Sequence, residues 1–80
     1  MKYITFEGPA HQEIVMFTDS RAHGDMAREL GISKADLLGA GSMDFSPGGG
    51  LYCHGRSTSL EIKSRNMLDT DIFKRMMGEP

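Results

Sequence analysis

The 80 residues are 39% hydrophobic, with four Phe, two Tyr and no Trp, which fills one small core and excludes a second domain. Nine Lys and Arg against eleven Asp and Glu leave a formal charge of -2 with no long run of like charge, which argues against a default nucleic-acid binder. The single cysteine, Cys53, excludes an intramolecular disulfide, and no apolar stretch approaches the roughly 18 residues of a membrane span or forms a signal-peptide pattern, so a cytoplasmic protein is expected.

Tyr3-Ile4-Thr5-Phe6-Glu7 alternates with the period of a half-buried strand, with Ile4 and Phe6 inward. Gly8-Pro9 ends it, and Ile14-Val15-Met16-Phe17 follows as a continuous apolar run, the pattern of a strand covered on both faces or flanking a dimer contact. Asp19 or Ser20 is placed to cap a helix whose inner face is Ala22, Met26, Ala27 and Leu30, whose outer face is Arg21, Asp25, Arg28 and Glu29, and whose stop is Gly31.

From this point the chain supports two folds. Ala27, Gly31 and a capping box of Ser33 and Asp36 fit a helix-turn-helix, in which Lys34 would enter the major groove and Arg21 or Arg28 would hold phosphate. Against it, Gly39 and Gly41 would each cost a helix about 1 kcal/mol relative to Ala, and Leu37 to Phe45 reads better as a strand with a close backbone approach. Ser46-Pro47-Gly48-Gly49-Gly50 is the strongest turn signal, and it makes Leu51 to His54 the second arm of a hairpin. Gly55 marks a bulge, after which the alternation of Arg56 to Lys63 is expected to extend that strand. A last helix has Asn66 or Asp69 as cap and Leu68, Ile72, Phe73 and Met76 as apolar stripe; Asp71 and Arg75 stand one turn apart to pair, and Gly78 and Pro80 finish it.

Reactive residues concentrate in Tyr52-Cys53-His54-Gly55-Arg56-Ser57-Thr58-Ser59. Cys53 and His54 are neighbours on a predicted strand and therefore point to opposite faces, so they cannot act as nucleophile and base by themselves. Arg56 with Ser57, Thr58 and Ser59 has the chemistry of an anion or nucleotide site, and Cys53, His54, Arg56, Ser57 and Ser59 are the candidate binding residues. His11, His23, His54, Cys53, Asp19 and Asp25 lack any paired metal-ligand spacing, and Gly48 to Gly50 lacks the Lys-Ser/Thr of a phosphate loop; no metal and no cofactor is expected. Among seven methionines, Met43, Met67 and Met77 fit an adaptable partner surface.

Met26-Ala27-Arg28-Glu29-Leu30-Gly31, Gly39-Ala40-Gly41-Ser42-Met43-Asp44-Phe45 and Cys53 to Arg65, with the acidic Asp69 before the last helix, together resemble small proteins encoded in phage and prophage genomes. The resemblance implies a hairpin strand after the first helix and a bacterial host's cytoplasm as location; it brings no catalytic residues with it. The expectation is one α+β domain over residues 1–80, ordered strand-strand-helix-strand-strand-helix, with a four-stranded antiparallel sheet and both helices on one face. Its expected role is non-enzymatic: binding a host or phage protein, as a homodimer if the small core is to be relieved by self-association. A helix-turn-helix DNA-binding regulator is the first alternative, and the anion or nucleotide site is the second.

Overall fold

Alternating residues in Lys2–Glu7 (β1) and the apolar run in Gln12–Phe17 (β2) form strands that pair antiparallel from Lys2 opposite Phe17 to Glu7 opposite Gln12. The computed structural model describes residues 1–78, so Pro80, expected to finish the last helix, lies outside the described residues. Leu37–Phe45 (β3) and Leu51–His54 (β4) complete an antiparallel sheet in the order β2-β1-β3-β4. The helices are His23–Leu30 (α1) and Met67–Met76 (α2), which gives the predicted α+β class.

The helices do not share a face, contrary to expectation. Tyr3 packs with Ile14, Met43, Cys53 and the α2 residues Ile72 and Phe73, whereas its neighbour Ile4 packs with Phe17, Ala40 and the α1 residue Ala27. Successive strand residues point to opposite faces, so α1 and α2 cover opposite sides of the sheet. Central strand β1 is therefore buried on both sides, and Tyr3, Ile4 and Thr5 are all 0% exposed instead of forming the expected half-buried pattern. The apolar run of β2 has the same cause, since Ile14 and Phe17 are buried in different layers.

Helix α1 begins later than Asp19 or Ser20 would place it. The Thr18 and Ser20 hydroxyls bond each other at 2.8 Å and the Arg21 amide donates to Thr18 O, so that segment is a turn, and Ala22 holds the cap position without a side-chain bond. His23 and Ala27 are the buried residues of the helix, and Leu30, expected inside, is 52% exposed. Gly31 stops it as predicted, with φ 70° and with the Gly31 and Ile32 amides donating to Arg28 O and Ala27 O.

The helix-turn-helix reading fails here. Lys34–Asp36 is a single 3-10 turn capped by the Ser33 hydroxyl, and β3 starts at Leu37, so no recognition helix exists to carry Lys34. The Gly39 backbone lies against the Asp69 carboxylate, which a Cβ at Gly39 would strike; this close approach is what the paired glycines signalled. The Ser46–Gly50 turn closes through Ser46 N–H to Gly50 O at 2.7 Å.

Arg56 to Lys63 does not extend β4. Gly55, with φ 82°, turns the chain away, and Arg56–Ser57 (β5) pairs with Ile62–Lys63 (β6) as a separate two-stranded hairpin. Leu60 and Ile62 then pack into the α1-side core. In α2, Asn66 is the cap position but makes no side-chain bond, while Asp69 lies inside the helix and is buried. Leu68 and Met76, expected in the buried stripe, are 60% and 47% exposed, because the face against the sheet is Asp69, Thr70, Ile72 and Phe73. Arg75 reaches Gln12 Oε1 and the Asp71 carbonyl instead of the Asp71 carboxylate.

Candidate functional site

Beneath α2 lies a buried carboxylate that the sequence marked only as a helix cap. Asp69 Oδ1 accepts from the Thr5 hydroxyl and from Arg65 Nε, each at 2.8 Å; Oδ2 accepts from the Tyr3 hydroxyl at 2.6 Å and the Arg65 amide at 2.8 Å. Ser64 Oγ is 2.5 Å from the same phenolic oxygen. Both carboxylate oxygens are thus doubly satisfied, as a buried charge requires. Arg65 Nη2 is also buried and has no partner. Burial and the hydrogen bond to Asp69 push the Tyr3 phenol far above its ordinary value, so it stays a donor. Bonds from Tyr3 and Thr5 on β1 to Asp69 on α2 make the network a clamp between the two elements.

The residues singled out between Cys53 and Ser59 are dispersed by the fold. Cys53 is 3% exposed on the α2 side, its amide donates to Thr70 Oγ1, and burial pushes its thiol pKa upward. A thiol held protonated is a poor nucleophile. His54 points to the other face, where Nε2 lies 2.6 Å from Asp44 Oδ2 and the ring tilts against Tyr52. Ser57 is 0% exposed, and its hydroxyl accepts from the Leu60 amide inside the β5–β6 hairpin. Arg56 and Ser59 remain at the surface and line one depression with Lys2, Ser42 and Thr58. Of the cations proposed for DNA, Arg21 pairs with Glu29 and Arg28 with Asp25, while Lys34 is exposed beside a different depression. No group of three or more His, Cys, Asp or Glu is placed to hold a metal among the described residues.

His23 is 5% exposed, with Nε2 2.8 Å from Gly41 O and its ring edge-on to Phe17. The carbonyl can only accept, so Nε2 carries the proton. Burial lowers the pKa of this histidine, outweighing the opposite effect of the bond to Gly41. Since the unfolded chain protonates first, stability is constant well above the ordinary histidine value near 6.5 and falls as pH drops below it, towards the lowered folded-state value. Urea melts between pH 8 and 5 are expected to show this decline, with a shallower slope in His23→Gln; an equal slope in the variant would remove His23 as its source.

One concavity among the described residues is mainly apolar. Strand β3 outruns β1: the Met43 amide already bonds Met1 O, and Asp44 and Phe45 continue beyond with β4 alongside. This overhang and the end of β2 leave a notch of about 860 Å³, lined by Met16, Phe17, Met43, Phe45, Phe73 and Met77 among others, with Asp19 and Asp44 also in its wall. Phe45 is 73% exposed and Met77 61%, whereas Met43 is buried at 3%. Met67, also 65% exposed, is not among the lining residues.

The chain matches no protein-family model, curated protein or solved structure in the three comparisons made. Geometry alone carries the functional reading. The sequence pointed to Met43 and Met77 for this surface but missed Phe45 and Phe73, which it assigned to a hairpin and a core stripe. A signal for the notch was present in the unequal lengths of the predicted strands, β3 being longer than the strand it pairs with. No helix among the described residues is long and apolar enough to cross a membrane.

Proposed function

We propose that this protein acts by binding another protein through the apolar notch, as a non-enzymatic accessory protein of the phage and prophage kind. The observation that carries the reading is the notch itself, where exposed Phe45 and Met77 flank a preformed floor of Met43 and Phe73. Aromatic and methionine side chains are the types enriched at protein interfaces, and thioether chains repack around different partners. The Met1 ammonium, 3.1 Å away, neutralises Asp19, which leaves Asp44, bonded to His54, as the acidic group of the wall, so the occupant is an apolar peptide segment carrying a basic residue.

Selection of a random displayed-peptide library on the intact protein, with a Phe45→Ser/Met77→Ser double variant as counter-target, tests this. Both positions are exposed, so the variant is expected to fold. Enriched peptides should combine two or more apolar residues with a Lys or Arg and should lose at least about tenfold in affinity on the variant. Absence of enrichment, or equal binding by the variant, overturns the proposal. Sedimentation of the wild type as a dimer that the double variant dissociates would also overturn it, because a second copy would then occupy the notch.

A further inference from the structure

On the opposite side of the sheet, independently of the notch, we propose a binding site for a small oxyanion of the phosphate or phosphate-monoester class, formed by Lys2, Arg56, Ser42, Thr58 and Ser59. These side chains, from β1, β3 and the β5–β6 hairpin, line a depression of about 320 Å³ together with the start of α1, and no carboxylate lines it. The turn at Gly55 creates the site by carrying Arg56 away from the line of β4 and back over the sheet.

Two features of charge placement favour an anion. Arg56 stands directly opposite Lys63 in the β5–β6 register, both side chains are exposed, and neither forms an ion pair among the described residues. Like charges directly across a strand pair repel, and a bound anion relieves that repulsion. Lys2 Nζ donates to Arg21 O at 2.7 Å, which fixes the ammonium at the depression while leaving two of its protons to donate.

The hydroxyls complete the chemistry. Ser59 Oγ accepts from the Gly24 amide at 2.9 Å, so its own proton is left to donate. That bond also uses the Gly24 amide, so the attraction for an anion comes from the side-chain cations and hydroxyls. A guanidinium offers planar paired donors and an ammonium a point charge, a combination suited to tetrahedral oxyanions. Ser57, buried beneath, takes no part beyond holding the hairpin through Leu60.

The test is an amide NMR titration of the full chain with inorganic phosphate and, separately, adenosine monophosphate, at constant ionic strength set by chloride. Saturable shifts are expected at Arg56, Thr58, Ser59 and Gly24, with affinity about tenfold weaker in Arg56→Gln and unchanged in Lys34→Gln, whose side chain lies outside the depression. Tighter binding of the monophosphate would identify the monoester as the better ligand within the class; tighter phosphate, the free anion. Linear unsaturated shifts, equal binding by Arg56→Gln with an otherwise unchanged spectrum, or shifts centred on Lys34 overturn the proposal. So does a short DNA duplex acting at lower concentration than either small anion, since the site would then belong to a nucleic-acid backbone.

Discussion

Asp69→Ala is expected to lower the stability of this protein by about 3–5 kcal/mol, the range for removing one partner of a buried ion pair. The substitution leaves the partly buried Arg65 guanidinium without its counter-charge and removes one acceptor each from the Tyr3 and Thr5 hydroxyls, which keep only Ser64 Oγ and the Gly39 carbonyl; all three groups lie 2.6–2.8 Å from the carboxylate. A chain of this length has roughly 4–12 kcal/mol in total, so the variant sits near the edge of unfolding. Urea denaturation followed by circular dichroism measures the loss. Asp69→Asn should fall between wild type and Asp69→Ala, because an amide keeps one acceptor oxygen but presents donors to the remaining groups. A loss under about 1 kcal/mol for Asp69→Ala would show that the network contributes little beyond the packing around it.

Gly39→Ala is expected to be nearly as harmful, about 2–4 kcal/mol, although it adds only a methyl group. A Cβ at this position collides with the Asp69 carboxylate, which is held from both sides by β1 and Arg65 and cannot move without breaking its bonds. Overpacking at such a point forces the helix away from the sheet. The two substitutions should therefore be strongly non-additive: in an Asp69→Ala background the obstruction is gone, and the added methyl should cost less than half its wild-type penalty. A double-mutant cycle decides this. Additive losses would place the damage at Gly39 in the strand backbone and not in the contact with Asp69.

These two positions also show where local reading stops. Gly39 and Gly41 in an alternating segment were enough to predict a strand with a close approach, since glycine disfavours helix and admits a neighbour where other residues have Cβ. Nothing local names that neighbour. Asp69 is separated from Thr5 by 64 positions and looked like a helix cap, because an acidic residue near a helix start is ordinarily exposed and serves the free amides there. The hint lay in β1, where Tyr3 and Thr5 place hydroxyls on one face of an otherwise apolar strand, but such a pair reads equally as a solvent face. Likewise, Arg56 to Lys63 kept its alternation whether it continued β4 or folded into its own hairpin. The positive φ of Gly55, which decides between them, is a conformation that glycine permits and does not require.

Legible in the residues alone were the order of the four main-sheet strands and the two helices, the stop at Gly31, the glycine turn before Leu51 and the opposed directions of Cys53 and His54. Each follows from a period, a propensity or a chain break acting over a few residues. Long-range packing set the rest: the helices cover opposite faces, Asp69 is buried, β3 overhangs β1 to open the apolar notch, and Arg56 lines one depression with Lys2 and Ser42. Alternation sets which residues share a face but not what covers it; that choice depends on contacts between distant segments, whose gain must outweigh the entropy of closing the loops between them.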